Sequence, residues 1–149
     1  MAITASGLFF LTFEKLLTEH ANVINLEAED NKVAMFTNSI TPNFDTNTAY
    51  GTSPYDANEV SGAGYTAGGI VLTATEITVS SGTLVYDAAD SAWASSTITN
   101  ARGALIYADA STGNEPICLI NFGADYSTTN GTFTIQYNAS GIFTLDITP

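Results

Sequence analysis

Apolar and polar residues follow two different periods along this chain, and the change of period divides it. Phe9, Phe13, Leu16, Leu17 and His20 recur at three- and four-residue spacing, the pattern of one helix face. That spacing predicts a helix over residues 5–21, with Glu14 and Lys15 outward. Leu8, Phe10 and Leu11 are apolar too, so the first turns are apolar nearly all round. A helix of that kind is buried, and in a small domain its cover comes from another subunit. Leu8, Phe9, Phe10, Leu11 and Phe13 are therefore the expected oligomer interface.

Further on the period becomes two. Lys32 to Thr37 reads as a first strand after the acidic turn Glu27 to Asn31. From Gly69 onward strands follow at short intervals: Ile70 to Leu72, Glu76 to Val79, Thr83 to Tyr86 after a Ser81-Gly82 turn, and Ala92 to Ala94. Ala104 to Tyr107, Ile117 to Phe122, Thr132 to Tyr137 and, across an Asn138 to Gly141 turn, Ile142 to Ile147 complete the series. Short strands at this spacing predict an antiparallel sandwich or barrel.

Residues 38–68 fit neither period. They are rich in Asn, Thr, Pro, Gly and Tyr and poor in aliphatics, and they are long for a plain connection. An extended arm, a binding loop or a clamp onto a neighbour is expected. Aromatic rings bring contact area at low entropic cost, so Phe44, Tyr50, Tyr55 and Tyr65 are the expected attachment residues. The prediction is one domain over residues 1–149, mainly β: an antiparallel β-sandwich or barrel-like domain with an N-terminal α-helix (5–21), a long loop or arm (38–68) and a main β region (69–149).

Charge narrows the function classes. Three basic residues face fifteen acidic ones, a formal net charge of −12. Nucleic-acid binding depends on Lys and Arg neutralising phosphates, and an anionic membrane surface makes the same demand, so neither partner is expected. Only 12% of the chain is charged, about half the usual ~25%. Its polar surface is Thr, Ser, Asn and Gly, which pack against neighbours with few ions to desolvate. The apolar stretch Gly7 to Phe13 has no basic region ahead of it and is cut short by Glu14 and Lys15, so neither a secretory leader nor a membrane span is expected.

Candidate chemistry is sparse. The single cysteine, Cys118, lies in the run Ile117 to Ile120 and reads as a small buried hydrophobe. The single histidine, His20, has no nucleophile elbow to serve. One Cys and one His cannot make a zinc site. Glu27, Glu29 and Asp30 cluster in one loop and Asp87 and Asp90 in another, without EF-hand spacing. They read as turn acids. The Asn130 and Asn138 sequons read as turn chemistry, and the glycines from Gly62 to Gly69 as positions of positive φ or close backbone approach. No enzyme, metal or cofactor is expected.

Four phrases taken in order carry a resemblance. They are Lys32 to Ser39 with Thr41-Pro42-Asn43 and Asp45-Thr46; Asn58 to Gly69; Trp93 to Thr99 running on to Arg102 to Tyr107; and Asn130 to Ile135 with Gly141-Ile142-Phe143. Over about residues 5–147 this order resembles a family of small virion structural proteins of tailed bacteriophages, encoded near the capsid genes, from which the acidic balance departs. The resemblance implies a capsid decoration or cement protein, made in the host cytoplasm and held on the virion by the major capsid protein. It carries over no catalytic residue. A homo-oligomer is expected, a trimer by capsid threefold geometry. The alternatives are a receptor- or glycan-binding module of a head or tail fibre, with Tyr50, Tyr55, Tyr65 and Trp93 stacking on sugars, and a tail or connector subunit.

Overall fold

Strand β2 (Asn31–Phe36) sets the layering. Its side chains alternate, Val33 and Met35 entering one apolar cluster and Ala34 and Phe36 another, as the period of a strand requires. A computed structural model describes residues 2–18 and 24–146. They form β1 (Gly7–Leu8), α1 (Phe10–Thr18), β2, β3 (Ile70–Val71), β4 (Glu76–Ser80), β5 (Thr83–Asp87), β6 (Ser91–Ala108), β7 (Pro116–Ile135) and β8 (Phe143–Asp146). One sheet has the order β1-β7-β6-β2-β3 and the other β4-β5-β8, and the named pairings are antiparallel. The protein is mainly β, with antiparallel sheets in a sandwich-like arrangement and one short N-terminal helix.

The first cluster lies between the sheets. Val33, Met35, Trp93, Ile106 and Phe133 of the larger sheet pack with Tyr86 of the smaller one, and Ile77 and Phe143 join at its margin. The second lies on the opposite face of the larger sheet. There Ala34, Phe36, Leu105, Tyr107 and Leu119 are covered by Ile3 and Phe9 from the N-terminal segment and by Ile40 and Tyr55 from the long β2–β3 connection. Near the start of β7 the alternation slips: Ile106 pairs with Cys118 but Tyr107 with Pro116. Ile117 is therefore a bulge residue, and it and Cys118 both reach the inter-sheet core.

Two groups of expected strands are continuous. Ala92 to Ala94 and Ala104 to Tyr107 belong to the single strand β6, and Ile117 to Phe122 and Thr132 to Tyr137 fall largely within β7. The polar stretches between them read as turns because they hold turn residues, but these residues form bulges. Ser95, Asn100 and Asn130 have positive φ inside the hairpin, and Phe122, Gly123, Ala124 and Asp125 lie opposite Arg102 alone. The Ser81-Gly82 turn is as expected: both residues have positive φ and join Ser80 to Thr83, the two-residue hairpin geometry that matches strand twist.

The expected helix over residues 5–21 is shortened to Phe10–Thr18. Gly7 and Leu8 pair instead with Leu119 and Cys118, because the edge of β7 offers them backbone partners that an isolated first turn lacks. Residues 19–21 of that expectation, His20 among them, lie outside the described residues, as does Ile147 of the last strand.

Two glycines show how closely the long connection is seated. A Cβ on Gly69 would stand 1.8 Å from the Val33 carbonyl oxygen, and one on Gly62 1.8 Å from that of Thr97. Gly69→Ala, at φ +73°, is expected to lose roughly 3 kcal/mol or more. Gly51→Ala, at φ +83° with no atom within 4 Å, should lose only about 1 kcal/mol. Urea unfolding of both variants checks the difference.

Candidate functional site

The long connection is not an arm. Its rings face the protein's own sheet. Tyr55 is 2% exposed and sits edge-on to Phe9 at 6.0 Å and Phe36 at 5.3 Å, while Phe44 tilts against Phe9 at 5.2 Å. Tyr50 stacks on Tyr107 at 4.4 Å and Tyr65 on the buried Trp93 at 5.9 Å. Phe44, Tyr50, Tyr55 and Tyr65 each place one side of the ring on the protein's own aromatic rings, Tyr55 buried and the other three half-buried. A loop poor in aliphatics covers an apolar sheet face with aromatics, which supply the area instead.

Glu59 fastens this cover. The Tyr65 hydroxyl donates to Oε1 at 2.6 Å, the Tyr50 hydroxyl to Oε2 at 2.8 Å and the Gly68 N–H to Oε1 at 2.8 Å. Burial first, and then Glu59, push both phenols up and keep them protonated as donors. The Met35 N–H donates to the Tyr65 hydroxyl at 2.9 Å, and Val60 N–H and Thr37 N–H donate to Met35 O and Asn58 O. The connection therefore finishes the edge of β2 where the two-residue β3 ends.

The expected oligomer residues divide. Phe9 is fully buried in the second core and precedes the helix, so it is not an interface residue. Leu8, Leu11 and Phe13 are half-buried, Leu8 against the inter-sheet core and Phe13 edge-on to Phe143 at 6.2 Å. Phe10 stays 65% exposed, and Leu17, one heptad on and on the same helix face, 88%. The helix packs through Thr12, whose hydroxyl donates to Pro116 O at 2.5 Å, and through Lys15, 3.3 Å from Glu115.

The turn acids serve the backbone. Glu29 Oε1 accepts from Ala74 N–H at 2.5 Å, Glu27 Oε1 from Ile77 N–H at 3.2 Å and Asp90 Oδ1 from Tyr137 N–H at 3.0 Å. Among the described residues no group of three or more His, Cys, Asp or Glu is placed to hold a metal ion. Burial pushes the Cys118 thiol up to about 12, so at neutral pH it remains an unreactive thiol.

One surface was missed by sequence reasoning. Strands β6 and β7 together hold one charge of each sign, Arg102 and Asp125, 3.4 Å apart. The whole net charge of −12 therefore lies outside these two strands. Beyond Asn121 no described strand pairs with the outer edge of β7. That edge and the connection into β8 bound a groove of about 580 Å3, with Phe122, Phe133, Ile135 and Ile142 as apolar lining and Tyr126, 51% exposed, at its rim. Among the described residues no charged side chain lines it. Thr132, Gln136 and Asn138 add hydroxyl and amide groups. The turn-like residues Gly123, Asn130 and Gly131 were the only signal, since they mark the bulges that bend β7.

Fold and surface together define a two-sheet β protein with two long strands of no net charge and an apolar groove. Comparison with protein-family models, curated proteins and solved structures finds no match.

Two expectations follow from the buried polar groups. The Tyr55 hydroxyl has no hydrogen-bond partner among the described residues, so Tyr55→Phe should be neutral or stabilise by up to about 1 kcal/mol. Tyr65→Phe strips a partner from both Met35 N–H and Glu59 and should cost about 1–3 kcal/mol. Chemical denaturation distinguishes the two. Glu115 is enclosed. Burial alone would raise its carboxyl, but the Ser111 hydroxyl, a backbone N–H and Lys15 outweigh burial and hold it below the usual range. Its contribution is thus full above the unfolded value of about 4.3 and is lost as pH falls through the lower folded value. Glu115→Gln should be less stable than the parent protein near neutrality, and the gap should narrow below about pH 4, as measured by urea unfolding at both pH values.

Proposed function

We propose that the protein is a structural component of a tailed-phage virion, a capsid decoration or cement protein whose partner is the major capsid protein. The observation that carries this reading is the electrostatic division of the surface. Strands β6 and β7 have no net charge while the rest of the chain holds −12. A neutral face rich in Ser, Thr and Asn can be laid across subunit joints with little ionic desolvation. The acidic remainder then faces solvent and keeps decorated particles apart. The resemblance of the four sequence phrases to phage virion proteins supports the same reading.

The mechanism is mechanical. Apolar area buried across a joint between shell subunits contributes about 25 cal/mol per Å2 before association costs, and this raises the work needed to open the shell. With the rings of the β2–β3 connection turned inward, the attachment surface moves to the exposed hairpin positions, Thr99 and Thr129 among them.

Adding charge there tests it. Thr99→Glu with Thr129→Glu should cut occupancy on purified shells about tenfold or more, with the isolated protein's melting temperature unchanged. The control Thr46→Glu, exposed in the β2–β3 connection, should bind like the parent protein. Co-sedimentation with undecorated shells measures both. Loss through Thr46→Glu alone would return attachment to that connection, and failure of the parent protein to sediment with any shell would end the decoration reading.

A further inference from the structure

The protein displays an apolar projection and an apolar hollow on one edge. Phe10 and Leu17 are the two large side chains that α1 leaves most open. The groove beside β7 is lined by Phe122, Phe133, Ile135 and Ile142, with Tyr126 at its rim. Phe13 of α1 touches Phe143, the neighbour in sequence of Ile142, so helix and groove lie next to each other. We propose that this edge is a self-association surface, in which α1 of one copy seats Phe10 and Leu17 in the β7 groove of a second copy, reciprocally, about a two-fold axis.

Area favours the reciprocal form. Two exposed side chains of this size present at most roughly 400 Å2, well short of the ~800 Å2 per partner that a stable interface needs. In a two-fold pair each copy buries both its helix face and its groove across the same interface, which about doubles the area. A head-to-tail ring, including the threefold arrangement, would use only one of the two at each contact.

Charge selects the occupant. Two chains of −12 repel wherever their acidic surfaces meet. At this edge the groove lining is uncharged, Asp125 is paired with Arg102, and Glu14 is the one carboxylate exposed between Phe10 and Leu17 on the helix. The edge is thus one along which two copies can approach with little charge repulsion. A second copy also brings its own unpartnered apolar helix, which fits the groove's lining. Thr99 and Thr129, named above for shell attachment, do not line this groove, and the self-association stands whether or not that reading does.

A charge exchange tests the pair. The parent protein at about 20 µM should have the mass of two chains in sedimentation equilibrium. Leu17→Lys and Tyr126→Asp alter exposed side chains, so both should stay folded by circular dichroism. Each alone should weaken the dimer roughly 30-fold or more, the factor lost with one buried anchor. The double variant, which places opposite charges across the interface, should recover much of the loss. Thr129→Glu should leave the dimer intact. A monomeric or trimeric parent protein, or a dimer indifferent to both single substitutions, overturns the proposal. So does a monomer that loses binding to an oligosaccharide array or to shells through Tyr126→Asp, which would give the groove to a sugar or to the shell protein.

Discussion

Strands β2, β6 and β7 carry apolar side chains on both faces where they run side by side, and neither face can be left to water. The smaller sheet supplies one cover through Tyr86, Ile77 and Phe143. The other has to be assembled from segments without regular structure. Ile3 and Phe9 come from the N-terminal stretch and Ile40 and Tyr55 from the β2–β3 connection. This demand explains why so long a connection is tolerated. It is a third layer, attached by aromatic contacts and by the Glu59 carboxylate, and the glycines at 62 and 69 let its backbone lie against strands β6 and β2.

The same constraint decides where a partner can dock. Rings that would make an adhesive loop pack on the protein's own sheet, and apart from Val71 and Val79 the large apolar side chains left exposed, Phe10, Leu17 and Tyr126, lie along one edge. There α1 offers Phe10 and Leu17, and β7, unpaired beyond Asn121, offers the groove. The bulges in the hairpin are part of this design. By bending β7 they keep its free edge from being a flat template for indiscriminate strand addition, and they bring Phe122 and Phe133 within 6.2 Å of each other.

Electrostatics adds a division of labour. Fifteen carboxylates on a small chain would oppose close packing if they were spread evenly. Several are instead drawn into local structure, as with Glu29 on Ala74 N–H and Glu27 on Ile77 N–H. The two longest strands stay neutral. A neutral pair of strands on an acidic body leaves one face on which few ions need desolvation while the rest stays well hydrated.

The sequence by itself determined the β character, most strand positions, the Ser81-Gly82 turn and the buried state of Cys118. These rest on short-range physics: strand alternation, turn residues and the apolar run around Cys118. Tertiary structure alone decided the rest. Turn-type residues from Ser95 to Asn100 became bulges because β7 was there to pair with, and Gly7 and Leu8 left the helix because an edge of β7 was open to them. The fate of Phe9 and Tyr55 was equally hidden. An aromatic ring in a polar segment serves a partner or the protein's own core according to which apolar face lies within reach, and that depends on contacts between residues far apart in the chain.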